Sequence, residues 1–319
     1  MAKFNLSKKA IINNLLVCIL YHNIKIDLYN LLEKLKNRKT KILVIVDGKI
    51  NIKNKKKIQK KFKNIKFLYI KKKTTISYKR NIGLKYAKLR SKIILFLDSD
   101  IIPLGNLIKN HLKYHNIYKN VPILGGAVVP SFYKNRFNLF EFLDGILSWF
   151  TSVKSNKNKT IESPYHLPTC NMSIKIELVN KHKIFFDDNL VTGEDVDFCN
   201  QFRNINKKIM YVKNSEVYHE DRKLIIPFIK HHLQWGRHQY YTLYEKKYSQ
   251  IFGKFIFFLI FLIFYPLLFP VINFLSTILV IAPWIKYKKK YFFLLFPVYM
   301  VHFLKCIATY FEFIKKNIS

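Results

Sequence analysis

Cysteine, arginine and acidic residues are all scarce in this 319-residue chain. The four cysteines (Cys18, Cys170, Cys199 and Cys306) form no C-x-x-C pair and no metal-binding spacing, which argues against a zinc module and a disulfide scaffold. Two of them fall in apolar segments, so reduced, packed thiols are expected, and with them a soluble part that faces a reducing cytosol. Arginine supplies seven of the 56 basic residues, which face only 19 acids. A formal charge of +37 points to nucleic acid or to an anionic membrane face. Nucleic-acid readers, however, cluster Arg and aromatics on one face, whereas here the charge is Lys dispersed through a chain rich in Asn, Ile and Phe. The clusters Lys55 to Lys57 and Lys71 to Lys73 fall between predicted strands. They suit solvated loops or, alternatively, an anionic leaflet, where each Lys adds about 1 kcal/mol. Internal repeats and low-complexity linkers are absent.

Charge is missing altogether from residues 255 to 285, and residues 291 to 311 carry only Lys305. Both stretches reach or approach bilayer-spanning length. The N-terminus is different: Met1 to Lys9 is polar and charged, and Leu15 to Tyr21 is too short for the core of a cleaved signal peptide.

What is present begins with strands alternating with helices. Leu15 to Tyr21, Lys41 to Val46, Ile65 to Ile70 and Ile93 to Asp98 read as strands. Ile26, Leu28, Leu31, Leu32 and Leu35 have helical spacing before a basic turn at Lys36 to Lys39. A polar helix precedes the third strand, and Ser77 is placed to cap a helix through Leu89. This order predicts an α/β fold with a Rossmann-like, mostly parallel sheet flanked by helices. Leu107 to Tyr118 follows as a helix and Val121 to Val129 as a strand, with Gly125-Gly126 marking a close approach of backbone to a ligand. Pro168 to Ile174 reads as a strand, Glu194 to Phe202 as a helix, and Lys208 to Val212 with Val217-Tyr218 as closing strands. Residues 131 to 163 give no clear pattern. The soluble domain is expected over 1–247, with membrane-associated helical segments over 248–319.

The fourth strand, Ile93 to Leu97, is apolar on both faces and ends in Asp98-Ser99-Asp100, with Pro103 and Gly105 marking a turn. Taken alone, Asp-x-Asp at a strand end fits a turn and a helix cap. It also fits hard-oxygen binding of a metal on a phosphate, at the carboxyl edge where open α/β sheets bind ligands. Asp47-Gly48 ends the second strand, and Arg80, Asn81 and Gly83 open a helix that suits a phosphate. Gly193-Glu194-Asp195-Val196-Asp197 opens another helix, and His219 follows the last predicted strand. Singly, each has an ordinary structural explanation, such as helix N-terminal acids favoured by the dipole.

Together and in this order, they resemble the family 2 glycosyltransferases with the GT-A fold. The resemblance covers about Leu15 to Arg237. It rests on Val46-Asp47-Gly48, Arg80-Asn81-x-Gly83, Leu97-Asp98-Ser99-Asp100, Cys170-Asn171-Met172-Ser173, Phe186-Asp187-Asp188 and Gly193-Glu194-Asp195-Val196-Asp197-Phe198. It implies that Asp47, Arg80, Asn81 and Asp98 bind a nucleotide-diphosphate sugar, and that Asp100 and His219 hold Mg²⁺ or Mn²⁺. Asp195 would be the catalytic base, with Glu194 and Asn171 on the acceptor side, and transfer would invert the anomeric centre. Processive members carry Gln-x-x-Arg-Trp near the membrane, whereas this chain has Gln234-Trp235-Gly236-Arg237, so a single addition is expected.

The expectation is thus a membrane-associated transferase with its catalytic domain on the cytoplasmic face of the inner or plasma membrane. Its acceptor would be an envelope or lipid-linked glycan, and nucleic acid is not an expected partner. The rivals are a catalytically idle GT-A scaffold at the membrane and a basic nucleic-acid-binding protein. The aromatic, basic stretch Phe228 to Tyr248 suits a headgroup interface. The basic loop Lys286 to Lys290 belongs on the cytoplasmic side, which a hairpin broken near Pro266 and Pro270 would achieve, giving re-entrant or interfacial helices.

Overall fold

The structure is a computed structural model. It describes residues 14–21, 28–35, 40–48, 52–70, 74–88, 90–130, 138–153, 157–161, 166–190, 192–241 and 253–318. Ile26, Lys36 to Lys39, Lys71 to Lys73, Leu89, residues 131–137 and the expected domain end at Lys247 lie outside the described residues.

In chain order the elements are β1 (Leu15–Tyr21), α1 (Leu28–Lys34), β2 (Lys41–Asp47), α2 (Ile52–Lys61), β3 (Ile65–Ile70), α3 (Ile76–Lys88), β4 (Ile93–Asp98), β5 (Ile101–Leu104), α4 (Leu107–Ile117) and β6 (Ile123–Pro130). Next come α5 (Leu139–Trp149), β7 (Lys159–Ile161), β8 (Asn171–Lys175), α6 (Ile176–His182), α7 (Glu194–Asn204), β9 (Ile209–His219), α8 (Ile225–Gln239), α9 (Lys254–Tyr287) and α10 (Leu295–Asn317). The chain divides into two compact units. One comprises Met1–Val129, Lys154–Asn189 and Glu194–Glu220, and the other Pro130–Val153, Leu190–Gly193 and Asp221–Ser319.

The first unit is built on a nine-stranded mixed sheet of order β3-β2-β1-β4-β8-β6-β9-β5, with β7 paired to β9. β3, β2, β1 and β4 run parallel, and β8 enters antiparallel to β4, pairing Leu97 with Asn171. Every residue of β1 is buried, as expected for a central strand covered on both faces. Period-2 alternation assigns the faces. Leu16, Cys18 and Leu20 join Phe96, Ile123 and Met172 against Leu84 of α3, Ile176 of α6 and Phe198 and Phe202 of α7. On the opposite face, Tyr114 of α4 packs with Leu124 and Val212. Each such buried side chain contributes about 1.5–3 kcal/mol.

Four sequence expectations change. Ser77 lies inside α3, and the hydroxyl of Thr75 does the capping by accepting from the Tyr78 N–H at 3.2 Å. The turn expected after Asp100 is short: Pro103 belongs to β5 and pairs with Val217, a placement open to proline because β5 ends the strand order. The two closing strands are one, since β9 runs unbroken through Lys213, Asn214 and Ser215. Finally, the backbone at Gly125-Gly126 approaches protein rather than ligand. A Cβ on Gly126 would overlap the Ser215 carbonyl and the Asn171 amide, and one on Gly125 would meet the Leu167 side chain. Gly126→Ala is therefore expected to cost about 1–3 kcal/mol or more, measurable as a lowered urea midpoint.

Gly83 has a comparable role on α3. A Cβ there would lie 2.8 Å from Cys18 Sγ and 3.1 Å from Phe96, so its absence lets α3 settle onto β1 and β4. All four cysteines are free and buried.

In the second unit, α9 is continuous over 34 residues with Pro266, Pro270 and Pro283 inside it. The hairpin expected within residues 255 to 285 is therefore formed instead between α9 and α10, joined by a 3₁₀ segment at Lys289–Leu294. Pro266 lacks the N–H that would bond the carbonyl four residues back. That carbonyl, on Leu262, accepts from the Tyr310 hydroxyl of α10 at 3.1 Å, so the helix continues. At the basic-loop end, Phe142 and Ile146 of α5 and Phe228 of α8 pack with Trp284, Tyr291 and Val298. At the other end, Tyr240 packs with Phe257, Phe261 and Phe313.

Candidate active site

The site lies in the first unit, at the carboxyl ends of β2 and β4 and the end of β9. β4 delivers Asp98 as its last residue, and Ser99 and Asp100 turn the chain into β5. The β5–β9 register pairs Ile101 with His219, which is the physical reason that a histidine 119 residues beyond Asp100 comes to lie beside it. His219 Nε2 is 3.6 Å from Asp100 Oδ1. Ligand atoms of Asp98, Asp100 and His219 all lie within 4.8 Å of one another. Two hard carboxylates and an imidazole at this separation suit a divalent cation such as Mn²⁺ or Mg²⁺.

Arg80 extends from the first turns of α3 into the same region and is only 2% exposed. Its Nη1 is ion-paired with Glu194 Oε1, Nη2 is 3.8 Å from Asp98 Oδ1, and the guanidinium lies 5.6 Å from the Phe186 ring centroid. Burial opposes the charge on Arg80, but Glu194, Asp98 and Asp195 outweigh it and raise its pKa. Burial pushes the Asp98 carboxyl up from its ordinary 3.8, with Arg80 pulling it down and Asp100 pushing it further up. Glu194 is likewise raised by burial and opposed by Arg80. Arg80→Met would leave two carboxylates without their cation. The expected loss is about 3–5 kcal/mol of stability, read from chemical denaturation.

Asp195 stands in the first turn of α7. Its Oδ1 accepts from the Val196 N–H at 2.9 Å, and its Oδ2 is 3.5 Å from His166 Nε2. Asp47, at the end of β2, is ion-paired with Lys79 of α3.

The fold thus brings Asp98, Asp100, His219, Arg80, Glu194 and Asp195 together and sets Asp47 at the end of β2, two strands from β4. Two residues expected to contact substrate are held by protein groups. Asn81 is an internal clamp: Nδ2 donates to the Phe186 carbonyl and to Asp188 Oδ1, both at 2.8 Å, and Oδ1 accepts from the Phe186 N–H at 3.0 Å. Asn171 is 0% exposed. It donates to the carbonyls of Ala127 at 3.2 Å and Ser215 at 2.8 Å, and its Oδ1 lies 2.9 Å from His111 Nε2. These contacts hold its amide between the sheet and its α4 cover. Glu194, also expected on the acceptor side, is committed to Arg80.

Residues that the sequence did not single out are His166, Lys79 and the pair His111 and His115. His111 Nδ1 and His115 Nε2 each lie 2.8 Å from Ser173 Oγ, and burial lowers the His111 pKa to about 4. The i, i+4 spacing of the two histidines on a predicted helix was a visible signal. His166, a lone histidine in Tyr165-His166-Leu167, had none.

The chain is 25% identical over 215 residues to a teichoic acid poly(glycerol phosphate) polymerase of Staphylococcus epidermidis, a match that covers 65% of this chain and 28% of that protein. The chain therefore spans well under half of that relative's length. The crystal structure of S. aureus TarS superposes with a TM-score of 0.51 at 15% identity, over 84% of this chain and 52% of that one. GalNAc-T7 with UDP, GalNAc and Mn²⁺ gives 0.52 at 14%, over 74% and 52%. TarS residues 1-349 with UDP-GlcNAc gives 0.50 at 14%, over 96% and 92%. These likenesses establish the GT-A fold, a mixed α/β sheet with flanking helices, here followed by two apolar C-terminal helices. The family model described as glycosyl transferase family 2 matches residues 16–175, and the chain belongs to that family.

Proposed function

We propose that this protein is an inverting, metal-dependent glycosyltransferase that adds one sugar at a time from a nucleotide-diphosphate sugar to a hydroxyl of an envelope or lipid-linked glycan. The observation that carries this reading is the convergence of Asp98, Asp100 and His219 to within 4.8 Å, beside the Arg80–Glu194 pair and Asp195. Asp100 and His219, with Asp98, would hold Mg²⁺ or Mn²⁺. When bound, the cation neutralises charge developing on the diphosphate leaving group. Asp47 offers its carboxylate to the nucleoside, and Arg80 adds positive potential near the phosphates. Asp195 takes the proton of the attacking hydroxyl. Its Oδ1 is already held by a backbone N–H, which leaves Oδ2, on the His166 side, to act as the base. Attack opposite the leaving group inverts the sugar.

UDP-linked donors are favoured because TarS 1-349 is described with UDP-GlcNAc and GalNAc-T7 with UDP and Mn²⁺. A cell-envelope acceptor is favoured by the likeness to a teichoic acid polymerase. Single addition is supported by Gln234-Trp235-Gly236-Arg237, which departs from the processive pattern. Residues 1–247 form the catalytic part on the cytoplasmic face in this reading, and 248–319 attach it to the membrane through helices that are long and apolar enough.

The test is a panel of nucleotide sugars assayed for release of nucleoside diphosphate with Mn²⁺ and with EDTA. Mn²⁺-dependent release from one or a few donors is expected. An idle scaffold would bind nucleotide without release, and polyanion retention without nucleotide binding would favour the nucleic-acid reading. Mn²⁺ affinity should also depend on pH. The raised Asp98 carboxyl takes up a proton at higher pH than an ordinary aspartate, so protons compete with the cation sooner. Titration calorimetry should give weaker Mn²⁺ binding as pH falls from 7 towards 5.

A further inference from the structure

We infer that α9 and α10 lie in the plane of one leaflet, with the exposed apolar surface of α9 among the acyl chains, and do not cross the bilayer. This rests on the membrane attachment proposed above and specifies its geometry. The partner surface is the acyl layer of one leaflet, bordered by anionic headgroups.

The lipid-facing surface is a stripe on α9. Phe255, Leu259, Ile263, Leu267, Phe274 and Ile278 are all exposed, Leu267 to 71%, and their spacing keeps them on one side of the helix. The packed side turns along the helix: Phe257, Phe261 and Tyr265 are buried towards one end and Val280, Ile281 and Trp284 towards the other, while Leu268, Leu275 and Leu279 are exposed as well. At 1.5 Å per residue the 34-residue helix is about 51 Å long, well over a hydrocarbon core of about 30 Å.

What covers the packed side decides the orientation. α8 lies along α10: the Thr309 hydroxyl donates to the Gly236 carbonyl at 2.7 Å, and a Cβ on Gly236 would overlap Lys305 and Ala308. Cys306 Sγ donates to Asn273 Oδ1 of α9 at 2.9 Å, so this level is the middle of the hairpin. If the hairpin spanned the membrane, the bilayer centre would fall here. α8 would then carry Lys230 and Arg237, both on its outer, exposed side, into hydrocarbon, at about 2.5–3.5 kcal/mol or more for each charge. The loop end has a similar cover, since α5 packs there and carries the buried acids Glu141 and Asp144. Asp144 is engaged by Arg222 at 3.1 Å. An in-plane hairpin instead leaves α5 and α8 at headgroup level.

The lysines give a second, independent argument. Lys286 and Lys288 to Lys290 are exposed at the hairpin turn, and Lys315 and Lys316 are exposed at the far end of α10. A spanning hairpin would put basic clusters on both sides of the membrane, against the asymmetry that sets topology. An in-plane hairpin puts both on one side, where each can meet anionic lipid.

The experiment uses the full chain in sealed membrane vesicles of both orientations prepared from expressing cells. Lys289→Cys and Lys315→Cys are probed with a membrane-impermeant maleimide, the four native thiols being buried. Both variants should label in the same vesicle orientation, at least tenfold more than in the other. Nitroxides at Ile256→Cys, Leu267→Cys and Ile278→Cys, exposed positions on one side of α9, in reconstituted vesicles of phosphatidylglycerol and phosphatidylethanolamine, should report similar depths. Labelling of the two lysine positions from opposite sides, or a depth gradient along α9, would overturn the inference. So would recovery of the protein free of vesicles, a result that leaves glycosyl transfer to be judged separately by nucleotide release.

Discussion

Asp195→Asn is expected to lower kcat by about 10²–10⁴-fold, the usual contribution of a positioned general base, with little change in donor KM or in the unfolding midpoint. The substitution keeps shape and removes only basicity. The Oδ1 side can still accept from the Val196 N–H, so the start of α7 is retained, while the atom facing His166 no longer takes a proton. A loss confined to kcat assigns the residue to the transition state rather than to donor binding. Near-normal turnover by folded Asp195→Asn would remove the mechanism.

Asp100→Ala should act earlier, at cation binding. One of three candidate ligands is removed and His219 loses its carboxylate neighbour at 3.6 Å. Outer-sphere changes alone cost metal sites about 10–100-fold in affinity, so loss of a direct ligand should exceed that range, measured by Mn²⁺ electron paramagnetic resonance in the presence of nucleoside diphosphate. Turnover should fall below detection at Mn²⁺ concentrations that saturate the wild type and recover partly at much higher ones. The fold should persist, because Asp100 stands in the turn between β4 and β5 and carries no core packing. The two variants are thus separable: Asp195→Asn binds cation and nucleotide without transfer, and Asp100→Ala fails to hold the cation.

Short apolar strands were legible from the residues alone. Leu15–Tyr21 and Ile65–Ile70 have the bounds expected of them, since short apolar runs between polar turns leave few alternatives. β5 was not legible, because Pro103 and Gly105 are turn formers by local chemistry, and only pairing with β9 makes residues 101 to 104 a strand. Yet that pairing sets His219 beside Asp100. The residues of the candidate metal site could therefore be named from the sequence, while the cause of their proximity could not. Polarity at Lys213-Asn214-Ser215 hid the continuity of β9, where buried Ser215 offers its carbonyl to Asn171. The same long-range bond holds the Asn171 side chain, and Asn81 is held by Phe186 105 residues away; neither partner could be read from local sequence. α9 shows a related limit. Proline signals a break only where the freed carbonyl has no other donor, and Tyr310 supplies one to Leu262.

The most direct test of the central claim, that distant acids and one histidine converge on a single cation site, is a crystal structure grown with Mn²⁺ and nucleoside diphosphate, with anomalous data collected at the manganese edge. The account predicts one strong anomalous peak in coordination contact with Asp98, Asp100 and His219 and with the diphosphate oxygens. Nucleotide bound in the cleft with no manganese at those three residues, or manganese held elsewhere on the sheet edge, would contradict it.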